Sequence, residues 1–356
     1  MRFRLTTVFY AMALLAAAIA AFGVVGVLPA AVVFAFWVVI LSPKFWSKGA
    51  VPITGGLLIL GLCLMCCCSG LLPAVQSARE SARRISCMNH MRQLGLALFC
   101  YHEKWGAYPP AYVADENGKP MHSWRVLILP HIEQQALYKA YDFSEPWDGP
   151  NNRKLAGNIP PIYRCPSQHG RGNPTDTSYL AIVGPNTMWP GTAARKSEDV
   201  LDGEACTLLL VEAAESGIHW MEPQDLTVEE FLSTHASDSW TPQTDIHRSD
   251  HHYYYTCHWN ALFGDCHSQP LIAPVPADVL SALVTVDGAD LVPDDSEWRN
   301  LAPRRYWRWS RVVATAVFLL LCLLPLVRLA RRRGGEGDQK SDGVDPKDGA
   351  VDKPSD

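Results

Sequence analysis

Residues 71–105 read LLPAVQSARESARRISCMNHMRQLGLALFCYHEKW. Met91, Leu94, Leu98, Tyr101 and Trp105 recur at steps of 3, 4, 3 and 4, with Arg84, Arg92 and Gln93 elsewhere around the wheel. Residues three and four apart share one face of a helix, so this period predicts a long amphipathic helix, ending near Trp105, that lays an apolar stripe on a globular domain. Upstream, 51–72 is free of charge and should continue the same helix. A kink is expected at Pro73, which lacks an N–H and clashes with the preceding turn. Downstream, 106–300 is the segment able to build a sizeable core. It is rich in tryptophan (Trp124, Trp147, Trp189, Trp220, Trp240, Trp259, Trp298) and punctuated by Pro and Gly. Short apolar or β-branched runs at 177–183, 207–212 and 260–264 read as strands. Helices are expected at 123–141, interrupted by Pro130, and at 277–286 after Pro276. The predicted class is α+β with one antiparallel sheet.

Of the 356 residues, 48% are hydrophobic and 19% charged, where a soluble domain carries roughly a quarter charged residues. The first 72 residues hold only Arg2, Arg4, Lys44 and Lys48 as charges, and a second apolar block at 312–327 is followed by Arg328, Arg331, Arg332 and Arg333. About twenty apolar residues cross a roughly 30 Å hydrocarbon core as helix. The sequence therefore predicts about four transmembrane helices: a hairpin near 5–22 and 30–41 turned by Gly23, Gly26 and Pro29, a third near 51–72, and a fourth near 312–327. A cleaved secretory leader is the alternative for the first apolar segment, which nevertheless runs past the roughly 7 to 15 residues of a leader's core. The basic residues beside the short segments place both termini in the cytoplasm, because long loops translocate largely regardless of their charge. The expected organisation is a transmembrane hairpin and basic loop at 1–50, a span continuing into the amphipathic helix at 51–105, an extracytoplasmic α+β domain at 106–300, a last span at 301–333, and a disordered acidic tail at 334–356. Net charge is −5, which gives no basic field for nucleic acid.

Several stretches carry a resemblance: Leu71 to Arg84 as quoted, Cys87-Met88-Asn89, Gln93 to Leu98, Tyr101-His102, Tyr108-Pro109-Pro110, Ser123-Trp124-Arg125-Val126-Leu127 and Pro130 to Gln135. Glu145-Pro146-Trp147-Asp148, Tyr163 to Ser167, Thr177-Ser178-Tyr179, Val183-Gly184-Pro185 and Asp202-Gly203 extend it. Over roughly 70–290 the chain resembles a bacterial family of pilin-like envelope proteins, the domain of unknown function 1559 family. The resemblance implies a pilin-like fold, a long N-terminal helix half in the membrane with its outer half on a small antiparallel sheet; together with the four spans and their basic flanks, the expected place is the bacterial inner membrane. It also implies that Cys87 and Cys165, which sit in the best-matching cysteine contexts, pair as a disulfide. Two departures are visible. The prepilin processing signal is absent before the helix, so release into a filament is not expected. The family's His, nine residues, then Asp-Gly has Tyr255 at the His position and Cys266 at the Gly position.

Five of the eleven cysteines, Cys63, Cys66, Cys67, Cys68 and Cys322, lie in apolar spans and read as small hydrophobes. The other six (Cys87, Cys100, Cys165, Cys206, Cys257, Cys266) allow 15 connectivities, so spacing alone assigns none. His247, His251, His252, Cys257, His258, Cys266 and His267 offer imidazole and thiolate, the ligands zinc prefers. Their spacing matches no known ligand pattern, and a Cys257–Cys266 hairpin disulfide or a solvated loop ranks above a metal. Asp142, Glu145, Asp148, Asn151 and Asn152 offer oxygens for calcium, but Asp-Gly-Pro-Asn-Asn is also an ordinary turn. Trp147 and Trp189 are the candidate ligand or partner surface. Glu212, at the end of an apolar run, is a candidate functional carboxylate, ranked below the reading as a solvated strand-end acid. No nucleophile, metalloprotease, phosphate-loop or dinucleotide motif is present. The expectation is a non-catalytic interaction or scaffold module without a cofactor, its partners the membrane and envelope proteins or a second copy of itself. The alternative is a module binding a carbohydrate or other solute; a metal-dependent enzyme built on the histidine-rich segment ranks third.

Overall fold

The computed structural model describes residues 5–22, 27–40, 51–168, 172–213, 215–236, 247–250, 254–272, 275–288 and 306–322. Three helices lead, α1 (Leu5–Phe22), α2 (Val27–Ile40) and α3 (Val51–Trp105). The chain divides into two compact units, Met1–Pro73 with Arg308–Asp356, and Ala74–Trp307. In the first, Leu14, Ala18, Ala30, Val33 and Phe318 are buried together, and the Tyr10 hydroxyl donates to the Leu321 carbonyl at 2.9 Å.

Among the described residues no helix is long and apolar enough to cross a membrane. This overturns the expected transmembrane helices, and with them the multi-pass inner-membrane placement. The lengths give the reason. At about 1.5 Å per residue, the 14 residues of α2 reach roughly 21 Å and the 18 of α1 roughly 27 Å, against a core of about 30 Å. α3 has the length, at 55 residues, but the part of it whose side chains are described, from Val75 on, carries Arg79, Glu80, Arg83 and Arg84. It also passes Pro73 without a break in helical assignment.

In the second unit, β1 (Tyr112–Ala114) and β2 (Pro120–Ser123) form a hairpin. The helix expected at 123–141 is instead three short pieces: α4 (Trp124–Leu127), a 3-10 turn Leu129–Ile132 and α5 (Gln135–Ala140). Ser123 caps the first through the Arg125 N–H, Pro130 lies in the turn, and Glu133 leaves it in the left-handed region at φ 61°. The remaining elements are β3 (Tyr179–Leu180), β4 (Ile182–Val183), β5 (Leu208–Glu212), β6 (Leu226–Thr227), α6 (Val228–His235), β7 (His247–Asp250), β8 (Tyr254–Phe263), β9 (Ser268–Ile272), α7 (Ala277–Val284) and β10 (Tyr306–Trp307). The expected α+β class and antiparallel sheet are observed: β8 pairs antiparallel with β5, β7, β9 and β10, and β5 with β3.

Side chains alternate across a strand, so β8 presents Trp259, Ala261 and Phe263 to one face and His258, Asn260 and Leu262 to the other. The first set packs on Phe231 of α6 and on Val279, Leu280 and Leu283 of α7. Leu262 packs with Met91, Leu94, Ala97 and Leu98 of α3, the stripe read from the sequence. An irregularity in β5 between Leu208 and Leu210 resets its phase. Leu210 then joins the α3 side and Val211 the α6 and α7 side, which returns Glu212 to the α3 side. Gly95 allows the close approach of helix and sheet, because a Cβ there would stand 3.2 Å from Cys266 Sγ and from Leu262 Cδ2.

Thr227 and Glu230 cap α6 reciprocally, each side chain accepting the other's backbone N–H. At its other end, His235 is sealed between the Phe231 ring at 4.8 Å and the Trp259 ring at 4.8 Å. Burial pushes the imidazole down to about 4. The unfolded chain then binds a proton near pH 6.5 that the folded chain refuses until about pH 4, so stability present above pH 6.5 is lost as pH falls through that window. The loss is expected to approach 3 kcal/mol. Urea unfolding of His235→Phe at pH 7, 6 and 5 should show a shallower decline than the unmodified chain; parallel declines would remove His235 as the cause.

Candidate functional site

Four donors from four separate elements meet in the interior. Cys87 comes from the apolar stripe of α3, Cys165 from the turn after the 3-10 segment Pro161–Tyr163, Glu212 from the end of β5, and His247 from the start of β7. One ligand atom from each lies within 4.8 Å of all the others, and all four residues are buried. Strand geometry explains the meeting: β7 pairs His247 with His258 of β8, which puts His247 on the face toward α3, the side Glu212 also reaches.

The His247 imidazole Nε2 stands 3.1 Å from Glu212 Oε1 and 3.5 Å from Cys165 Sγ. The Cys87 thiol donates to Glu212 Oε1 at 2.7 Å. A second ring of groups holds these four. Nδ1 of His247 stands 2.8 Å from Glu80 Oε1, and Glu80 in turn accepts from Ser167 Oγ and from Arg83. Glu212 Oε2 accepts the Asn260 backbone N–H and side-chain amide at 3.1 and 2.7 Å. Tyr179 OH donates to Cys87 Sγ at 3.1 Å, and the Ser167 N–H to Cys165 Sγ at 3.4 Å.

Burial would raise the Glu212 carboxyl and lower the His247 imidazole, but each overrides it in the other: Glu212 is held below the usual carboxylate range, and His247 is pushed up to about 12. Glu80, despite its own burial, is held down to about 2 by His247, Ser167 and Arg83. Burial raises the Cys87 thiol. Burial acts on Cys165 in the same direction, yet its bonds to Cys87 and His247 leave it lowered. Chemically this is a set of two sulfurs, one imidazole and one carboxylate, with the sulfurs close enough to be brought together.

The residues singled out in the sequence fall in different places. Cys87 and Cys165 are free thiols, which corrects the expected disulfide: the fold brings the two together but engages each with a carboxylate or imidazole. Among the described residues of the histidine-rich segment, only His247 joins this site. His258 is buried beside it, lowered to about 4 by burial and by the Arg84 and His247 charges. His267 stacks on Phe263 at 4.3 Å and faces Asp265. Cys266 carries a free thiol and stands at φ 66° in the β8–β9 turn; left-handed backbone of this kind is what a Gly at that position supplies. His251, His252 and the side chain of Cys257 lie outside the described residues. Glu145 accepts the Asn151 and Asn152 N–H groups, each at 2.7 Å, and Asp142 accepts from Ser144, so these acids tie a loop together. Trp189 is buried, and Trp147 lies against the His219 ring at 5.3 Å.

Glu80 and Asp225, whose buried carboxylate pairs with Arg125 of α4, carry interior chemistry that the sequence does not single out, and Glu212 is the reverse of a solvated acid, at 1% exposure. Only Glu80 had a local signal, lying in the helical run with Cys87. On the surface, a cleft of about 540 Å³ runs between α3 and the two turns 131–134 and 160–162. Leu96, Ile132, Pro160, Pro161 and Ile162 form its apolar lining, and His90, Gln93, His131, Glu133 and Gln134 its polar part.

Residues 76–275, more than half of the chain, match the family described as protein of unknown function (DUF1559). No curated protein and no solved structure matches. The chain belongs to the DUF1559 family, the one its motifs resemble.

Proposed function

We propose that this DUF1559 protein is a non-catalytic interaction module that takes an apolar side chain of a partner protein into the cleft beside α3. One observation carries the reading: Leu96 lines that cleft while 57% exposed, with Phe99 one turn further on at 45%, whereas the reactive side chains are shut inside. Large apolar side chains left open beside a concavity favour a protein contact. The lining includes no Lys or Arg to take an anion and no Trp, Tyr or Phe to stack a sugar. Trp189 and Trp147, offered by the sequence for a carbohydrate, are taken up by the core and by His219. The scaffold reading therefore stands above the solute-binding one.

A photo-crosslinker at position 132 should capture a protein partner, and Leu96→Asp should weaken that capture at least about tenfold, the size of one interface anchor, with the circular dichroism spectrum unchanged. Capture insensitive to Leu96→Asp, or a small solute whose stabilisation of the chain disappears in that variant, would overturn the reading.

A further inference from the structure

We infer that Cys87, Cys165, Glu212 and His247 form a closed, four-ligand zinc site that ties α3, the 161–168 turn, β5 and β7 together. This goes beyond the interaction reading, which needs no metal. Donors about 2.0 to 2.3 Å from a tetrahedral zinc stand roughly 3.3 to 3.8 Å from one another. The four atoms lie within 4.8 Å; the Cys165–His247 pair at 3.5 Å already has that spacing, and the hydrogen-bonded pairs at 2.7 and 3.1 Å would open by about half an ångström as the metal replaces their protons. Two sulfurs and an imidazole select a borderline-soft ion over magnesium or calcium, which take oxygen ligands.

The outer partners carry the argument further, because each donor has one. Glu80 receives Nδ1–H of His247 and aims Nε2 inward, where zinc would take the place of its proton; a carboxylate behind a histidine is the usual support of a zinc ligand. Asn260 holds Oε2 of Glu212 and leaves Oε1 facing the sulfurs and the imidazole. Tyr179 and Ser167 each direct a donor at a sulfur, an arrangement that stabilises thiolates and that a disulfide would not use. With all four residues at 2% exposure or less, no position opens to substrate, as in structural rather than catalytic zinc sites.

The test uses the full chain, purified with reductant, and zinc alone as the probe. Elemental analysis should find one zinc per chain, and cobalt should replace it with the visible bands of a tetrahedral thiolate site. Chelation should lower Tm on the order of 10 °C, and added zinc should restore it. Cys165→Ser should abolish binding. Should that variant not fold, Glu80→Gln keeps all four ligands and is expected to weaken zinc about 10- to 100-fold with the secondary structure intact. Three results overturn the site: free thiols with no zinc after exposure to it, a Cys87–Cys165 disulfide with no zinc in chain isolated without reductant, or zinc affinity unchanged in Cys165→Ser and Glu80→Gln.

Discussion

Asp225→Asn is expected to destabilise the second unit by about 3 to 5 kcal/mol, the usual effect of breaking a buried ion pair from one side. Arg125 is fully buried, and its guanidinium meets Asp225 through Nη2 at 2.5 Å and Nη1 at 3.3 Å. The carboxylate also accepts the Trp124 indole N–H at 3.1 Å and the Ala181 N–H at 2.8 Å. Asparagine keeps one acceptor, but its amide hydrogens would face groups that are all donors, and the guanidinium would lose its counter-charge away from water. On a unit of this size the loss corresponds to a fall in Tm of about 10 °C or more. The paired change Arg125→Met with Asp225→Leu removes both charges and should recover much of that loss, since apolar replacement of a buried pair is often near neutral. Arg125 also donates to the Tyr179 carbonyl at 3.0 Å, so recovery should stop short of complete. Thermal unfolding of the two variants decides it. If Asp225→Asn melts within about 2 °C of the unmodified chain, the pair does not hold α4 to the β3–β4 segment.

How far this interior was legible depends on which contacts were local. The stripe of α3 was readable because Met91, Leu94 and Leu98 encode it within a few turns, and β5 and α7 were readable as apolar runs. The 123–141 region misled because the apolar pattern continues through Pro130, while a proline and a left-handed Glu133 break the backbone there. The apolar segments misled in a different way: composition reports hydropathy, whereas a span also needs one helix of about twenty residues, and α1 and α2 have 18 and 14. The buried cluster was half legible. Cys87 and Cys165 sit in recognisable motif contexts, whereas His247 is one of seven residues in a histidine-rich segment and nothing local sets it apart from the others. Glu212, however, was read by its position at a strand end, when its burial depends on the phase shift in β5 and on Asn260 from another strand. Asp225 had no signal at all, since its partner lies 100 residues away and nothing local distinguishes it from a turn acid.

Trp189→Ala is the second large effect expected, about 3 to 5 kcal/mol, because it empties the centre of the core rather than a binding surface. Trp189 is 1% exposed. Its ring lies 5.2 Å from Trp124, the residue that flanks the Arg125–Asp225 pair, and its indole N–H donates to the Leu209 carbonyl at 2.6 Å. Truncation therefore opens a cavity between α4 and β5 and strands a buried carbonyl. Trp189→Phe fills most of the volume and loses only the hydrogen bond, so it should cost about 1 to 3 kcal/mol. Trp147, half-buried and stacked on His219, should lose less than Trp189 on the same truncation to alanine. The ordering separates the two roles that a tryptophan in a Gly- and Pro-rich loop suggests. A ligand-stacking residue is dispensable for folding, so a Trp189→Ala chain that unfolds in urea within about 1 kcal/mol of the unmodified one would return Trp189 to the surface and reopen the solute-binding reading.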